Sequence, residues 1–240
     1  MLTFAAQIMK LEVIYQDNHL IAVNKPAGLV VQDNEHGLPS LETHVKAYIK
    51  EKYNKPGAVF IGCIHRLDTN VTGIVLFART SKALARMNAQ FKNRDITKTY
   101  AALIRRKPQP MAGTLTHWLK KDPKQNRTKL YEEERDGSKK AVLHYQYINT
   151  ANHCFLVKVN PITGRPHQIR VQLARTFTGI VGDVKYGQTK PTADKSIYLH
   201  ALGLSFLHPV TKEHLNLHAP MPNFGNWKFF KEIEQNLLAK

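Results

Sequence analysis

The stretch at 65–73, HRLDTNVTG, carries one carboxylate, Asp68, two residues from Arg66, in a polar turn that ends on glycine and separates two apolar runs, AVFIGCI and GIVLFA. A carboxylate in such a place is either a structural anchor or a reagent. Beside a guanidinium in a positive field it should ionise below the usual carboxylate range, which suits a nucleophile or general base and argues against a general acid. The plain alternative is an Arg–Asp pair that closes the turn. Tyr100, in TKTY between Lys98 and Arg105, is either a half-buried strand residue or a ring that stacks on an extruded base and offers a phenol for proton traffic. In GRPHQIR, Arg165 and Arg170 stand five apart, so a helix starting at Pro166 would turn one guanidinium away from the other. One of them could then steer a carboxylate while the other touches backbone or phosphate. His65 and His167 read as hydrogen-bonded structural histidines.

Several chemistries are disfavoured. Glycoside hydrolysis usually needs two carboxylates, and the motif supplies one. The 12 histidines are scattered with no HExxH or Asp/His cluster, and NKPAG and TGRP match neither a P-loop nor GxGxxG. The expected chemistry uses protein side chains alone, with no metal and no cofactor.

These residues need elements to hold them. LEVIYQDNHLIAVNKPAG reads as a hairpin broken at QDNH and closed by a Pro/Gly turn. A helix follows, with Ser40 as N-cap and Leu41, Val45, Tyr48 and Ile49 on one face. SKALARMNAQFKN repeats the pattern with Leu84, Met87 and Phe91 inward and Lys82, Arg86 and Lys92 outward. From KTYAALIR onward the chain is mainly β-like, through GTLTHWL, AVLHYQYIN and CFLVKVN. Between the first two of these lies a polar segment, about 119–140, which reads as a projecting hairpin or arm that either grips RNA or is merely solvated. TGRPHQIRVQLA predicts a helix with Pro166 at its first position and Ile169 and Leu173 inward. The C-terminal NWKFFKEIEQNLLAK predicts a core-packing helix through Trp227, Phe230, Ile233 and Leu237. Strands and helices intermix without βαβ alternation, so the expected class is α+β, in one domain over 1–240.

With 35 Lys and Arg against 18 Asp and Glu, the net charge is +17. That balance favours a polyanionic partner, nucleic acid before a membrane surface. Cys63 and Cys154 sit in apolar runs without metal or disulfide spacing, as free thiols do in a reducing compartment. MLTFAAQIMK lacks a basic start, a long apolar core and a clear cleavage site, and no apolar run approaches the ~20 residues of a membrane span. The expectation is a cytoplasmic monomer.

In this order, VIYQDNHLIAVNKPAG, HRLDTNVTGIVLFA, KTY, PITGRPHQIRVQLA, GDVKYG and YLHALGLSFLHP resemble the RluA-type family of RNA pseudouridine synthases over about residues 12–220. The resemblance implies an α+β fold with a central, mainly antiparallel sheet, flanking helices and a catalytic cleft. It implies isomerisation of uridine in rRNA or tRNA without metal or cofactor, with Asp68 as the catalytic carboxylate, Tyr100 beside the base and Arg170 holding Asp68. Arg66 matches the arginine that helps fill the stack when the uridine flips out, and His65 and Arg165 fall on the substrate side of the same motifs. Val71 stands where many members have Thr, and Pro166 where Ser, Thr or Lys is common. Only a dozen residues precede the first motif, so no S4-like RNA-binding domain is expected, and target selection would fall to the catalytic domain and its arm. Two other readings fit the same residues: a uridine-cleaving N-glycosidase, and a non-catalytic RNA chaperone or ribosome-assembly factor.

Overall fold

The computed structural model describes residues 9–33 and 39–238. The amino-terminal MLTFAAQI, read above for a leader peptide, lies outside them. Among the described residues the architecture is α+β: eleven strands form one sheet, with helices packed against it.

The strands follow from local pattern. β1 (Glu12–Gln16) and β2 (Leu20–Lys25) form the expected hairpin, its turn closed by Asp17, whose Oδ1 accepts the amides of His19 and Leu20. β3 (Gly62–Cys63) and β4 (Thr72–Ala78) flank the Asp68 loop, and all seven residues of β4 are buried. A continuous apolar run of this kind marks a strand covered on both faces. β5 (Thr97–Ile104) carries Tyr100. β6 (Ala112–Asp122), β7 (Arg127–Tyr131), β8 (Lys139–Ala151) and β9 (Cys154–Pro161) build the half in which apolar and polar residues alternate: Leu115 and Leu119 are buried on β6, Ala141, Leu143 and Tyr145 on β8. β10 (Leu199–Leu207) and β11 (His214–His218) complete the set. The order is β1-β2-β4-β10-β5-β9-β8-β6-β7, with β3 on β4 and β11 on β10. Among these pairings, β4 with β10 is parallel and the others are antiparallel.

α1 (Leu41–Lys52) starts where its cap demands: Ser40 is extended and its side chain accepts from the Thr43 amide. Leu41, Val45 and Ile49 are buried. α2 (Ser81–Asn93) is capped by Thr80 and ends at Arg94 in the left-handed region, with Ala83 and Met87 buried and Leu84 and Phe91 half-buried. Two helix expectations need correction. α3 spans Gln168–Thr176, so Pro166 lies in the preceding turn and not at the first helical position. His167, at φ 54° and ψ 19°, breaks the helical path, and Gln168 locks the turn with its side chain: Oε1 accepts from Thr163 and from the Arg165 amide, and Nε2 donates to the Val142 carbonyl. At the C-terminus the apolar stripe forms two 3-10 helices, Gly225–Ile233 and Gln235–Leu237, rather than one α-helix. Trp227, Phe230 and Ile233 recur every three residues, which is the period of the tighter helix.

The 119–140 segment forms the expected hairpin. β6 and β7 form a ladder at the sheet edge, turned at 123–126, with a second loop at 132–138 leading into β8. Its turn is tied down, because Arg127 donates to the Lys185 carbonyl and Lys185 Nζ donates to the Asn126 carbonyl at 2.9 Å.

The Asp68 loop is held from three sides. Lys25, 1% exposed, donates to the carbonyls of Pro26, Leu29 and Thr69, each at 2.8 Å. Three acceptors need three N–H donors, so an ammonium fills the site; burial pulls its pKa down to about 7 against the opposing pull of Asp68. Next, His200 joins Thr72, at the end of the loop, to the Ala219 carbonyl: Nδ1 lies 2.8 Å from Thr72 Oγ1 and Nε2 donates at 3.0 Å. Third, Gly73 lets β4 approach β10. At φ +114°, an added Cβ would lie 2.3 Å from the Ala201 carbonyl oxygen, so only glycine fits there.

Two outcomes follow from these anchors. Lys25→Met leaves three carbonyls without their buried donor, and denaturant unfolding should show a loss of about 1–3 kcal/mol for each carbonyl that stays unsatisfied; an unchanged midpoint would mean the ammonium anchors nothing. Burial pushes the His65 and His200 imidazoles down to about 4. Their folded pKa values lie below the unfolded value near 6.5, so stability is full above that pH and falls as pH drops toward 4, by up to about 1.4 kcal/mol per pH unit for each histidine. Thermal melts of His200→Asn across that window should show a shallower dependence than wild type.

Candidate active site

A cleft of about 1180 Å³ opens beside the Asp68 loop, and its lining includes Arg66, Asp68, Tyr100, Arg165, His167 and Arg170. Residues from three separate stretches of the chain therefore meet in one place.

Arg170 organises them. Its Nε donates to Asp183 Oδ2 at 2.7 Å and its Nη2 to Asp183 Oδ1 at 2.8 Å, a bidentate pair that is buried on both sides. Its Nη1 donates to Asp68 Oδ2 at 2.6 Å. Burial works against the charged guanidinium, yet the Asp183 and Asp68 carboxylates outweigh it and hold the pKa above the ordinary arginine value. The Asp68 side chain is 33% exposed whereas that of Asp183 is 1% exposed, so one carboxylate faces the cleft and the other braces the guanidinium from behind. His167 Nε2 lies 3.8 Å from the second oxygen of Asp68.

Tyr100 sits on β5 opposite Ala201 and Val159. Burial first, and the Asp68 charge second, push its phenol above the ordinary tyrosine pKa, so it is a neutral hydroxyl at physiological pH. Arg66 is exposed on the rim, where Nη1 reaches Gln32 Oε1 at 3.5 Å. Arg165 Nε donates to the Lys140 carbonyl at 3.0 Å. The expected division between the two arginines holds, with Arg170 on a carboxylate and Arg165 on backbone, though the left-handed turn at His167 sets it and not a helix from Pro166. His65 lines the cleft, but its Nε2 accepts the Leu76 amide at 3.1 Å and its ring stacks on Phe91 at 5.2 Å. Among the described residues, no three His, Cys, Asp or Glu side chains gather where they could hold a metal ion, and no helix is long and apolar enough to cross a membrane.

Lys25 and Asp183 are the residues that sequence reasoning missed. Both lie in motifs quoted above, NKPAG and GDVKYG. The available signal was a charged residue next to a turn at the end of an apolar segment, which is ambiguous until its partner is known. Lys121 and Asn126 also line the cleft, so the arm forms part of its wall.

A family model described as RNA pseudouridylate synthase matches residues 19–175. The chain is 32% identical over 227 residues to ribosomal large subunit pseudouridine synthase C of Rickettsia bellii, covering 94% of this chain and 73% of that one. It is 31% identical over 228 residues to ribosomal large subunit pseudouridine synthase D of Zymomonas mobilis, covering 90% and 71%. The fold is shared with human RNA pseudouridylate synthase domain containing 4, at a TM-score of 0.73 and 24% identity over 95% of this chain and 92% of that one. Human RNA pseudouridylate synthase domain containing 1 gives 0.72 and 22% identity over 98% and 97%. The chain belongs to the RNA pseudouridylate synthase family and is an RNA-modifying isomerase.

Proposed function

We propose that the protein converts specific uridines of ribosomal or transfer RNA to pseudouridine, with Asp68 as the reacting carboxylate. The observation that carries this reading is the pairing of Asp68 with Arg170 at 2.6 Å while a third of the Asp68 side chain stays open to the cleft. A carboxylate that only closed a turn would have no need of a guanidinium braced by a second, buried aspartate.

In this reading the target nucleotide leaves its stack and enters the cleft, which costs a few kcal/mol of unstacking. Arg66, exposed on the rim, occupies the vacated place. Asp68 attacks the sugar or takes its proton, the C1′–N1 bond breaks, the uracil turns, and C5 bonds to C1′ as the Asp68–sugar bond breaks or the proton returns to the sugar. The C5 proton leaves and N1 gains one, so the reaction balances without an oxidant or reductant. Tyr100 lies against the base as a neutral phenol, and Arg170 holds the negative charge of Asp68 in place. Arg165 and the arm lysines Lys121, Lys124 and Lys129 meet phosphates; the three lysines are exposed. A single catalytic domain, a monomer and a cytoplasmic location belong to the same proposal.

The test uses unmodified rRNA and tRNA transcripts carrying tritium at uracil C5. Wild type should release tritium to water, and Asp68→Asn should be slower by roughly three orders of magnitude or more while RNA binding stays within a few-fold. Full release by Asp68→Asn would overturn the assignment of Asp68, and free uracil in place of pseudouridine would point to glycoside cleavage. For the arm, replacing Lys121, Lys124 and Lys129 with Gln should weaken binding and flatten the dependence of log affinity on log salt by about 0.7 for each single-strand phosphate that the protein no longer neutralises. An unchanged slope would remove the arm from the interface.

A further inference from the structure

One wall of the cleft carries a polar chain that the reaction above does not use. Tyr186 Oη accepts the backbone N–H of Thr128, on β7, at 2.6 Å and lies 2.7 Å from His167 Nδ1. His167 Nε2, at the far side of the ring, is 3.8 Å from Asp68 Oδ1. That is the oxygen Arg170 leaves unheld, since the guanidinium takes Oδ2. The backbone of His167 is left-handed at φ 54°, and its side chain makes no cap bond to α3 although it sits at the N-cap position. A non-glycine residue kept in that region, with its ring turned from the helix toward the cleft, is the kind of local strain that collects at functional sites.

The protonation states agree with the geometry. Burial holds the Tyr186 phenol above its ordinary pKa, so it keeps a proton to give. Burial also lowers His167, and Arg170, Lys185 and Lys121 lower it further against the pull of Asp68, so the imidazole is neutral and carries one proton. If Tyr186 donates to Nδ1, that single proton sits on Nε2 and points at the carboxylate.

We propose that His167 is a positioning residue for Asp68: Tyr186, itself set by the Thr128 amide of the arm strand, holds the imidazole with its Nε2–H toward Oδ1, and the contact closes to a hydrogen bond when a nucleotide fills the cleft. A movement of under about 1 Å suffices to reach hydrogen-bond length, and such contacts are commonly long in a free enzyme and tighten in the complex. Arg170 and His167 then hold one carboxylate oxygen each, and the arm and the reacting group are joined through Thr128, Tyr186 and His167. This inference rests on the reading of Asp68 given under Proposed function.

Asparagine and glutamine separate the role from the fold. Asn at 167 tolerates the left-handed backbone and keeps a polar atom near Nδ1 for Tyr186, but it cannot reach Asp68. Gln extends an amide N–H to about the place of Nε2. With the full chain and the C5-tritiated transcripts, His167→Asn should melt no lower than wild type, keep KM within about twofold and lose kcat by roughly tenfold or more, as expected for a donor to a charged acceptor. His167→Gln should recover most of that loss. In 15N-histidine-labelled protein, long-range 1H–15N correlation should find the His167 proton on Nε2, and Tyr186→Phe should shift it toward a mixture of tautomers. Wild-type kcat in His167→Asn, equal losses in the Asn and Gln variants, or a wild-type proton on Nδ1 would each overturn the proposal. If wild type released no tritium, or Asp68→Asn released as much as wild type, the reading of Asp68 would fall and this inference with it. An active wild type, an inactive Asp68→Asn and an unimpaired His167→Asn would remove this inference alone.

Discussion

The Arg170 guanidinium holds two carboxylates at once, and the geometry of the cleft depends on that division. Asp183 takes two of its N–H groups from a buried position and fixes the plane of the guanidinium. With that plane set, the Nη1 N–H groups lie in it, and Asp68 accepts from one of them at 2.6 Å. A lone arginine could swing with its flexible stem, and a buried guanidinium without Asp183 would face a desolvation cost of several kcal/mol. Two aspartates against one arginine leave an excess negative charge in the group. The Lys25 ammonium beneath the loop and Lys185 at the cleft wall both feel Asp68 and oppose that excess.

The sheet brings these partners together. Asp68 and Arg170 are separated by 102 residues, and the parallel contact of β4 with β10 helps close the gap. Gly73 permits that contact because no side chain intervenes between the strand and the Ala201 carbonyl. Thr72 and His200, paired across the same junction, tie the end of the Asp68 loop to β10. Lys25, at the end of β2, closes the loop from the other side through the Thr69 carbonyl. A turn of polar residues is thus anchored through the Thr69 carbonyl and the Thr72 hydroxyl to the buried Lys25 and His200, while the Asp68 side chain stays partly open to the cleft.

Much of this is legible locally. Ser40 marks the start of α1, alternating residues mark β6 and β8, and the unbroken apolar run GIVLFA marks a strand buried on both faces. Asp68 stands out because a lone carboxylate in a strongly basic chain needs a reason. Where the local pattern misleads, a tertiary contact has overridden it. Proline at a first helical position is a fair rule, but Gln168 commits its side chain to Thr163, Arg165 and Val142, which starts α3 two residues later. The C-terminal stripe repeats at three as well as near four, and it winds into 3-10 helices with Trp227 and Phe230 buried. The arm reads as a hairpin, and what the local pattern does not show is that Thr128 within it is buried and bonded to Tyr186 and to the Pro166 carbonyl.

By itself the sequence determined most of the element types, the basic character and which side chains are candidates for the chemistry, because these depend on side-chain chemistry and on periods of two to four residues. Ordered motifs also carried the family. The tertiary structure decided which charged residue faces which. Asp183, Lys25 and Tyr186 are ordinary letters in GDVKYG and NKPAG until folding sets them against Arg170, Thr69 and His167. Their roles arise from distances across the sheet, and no local pattern encodes the partner of a buried charge.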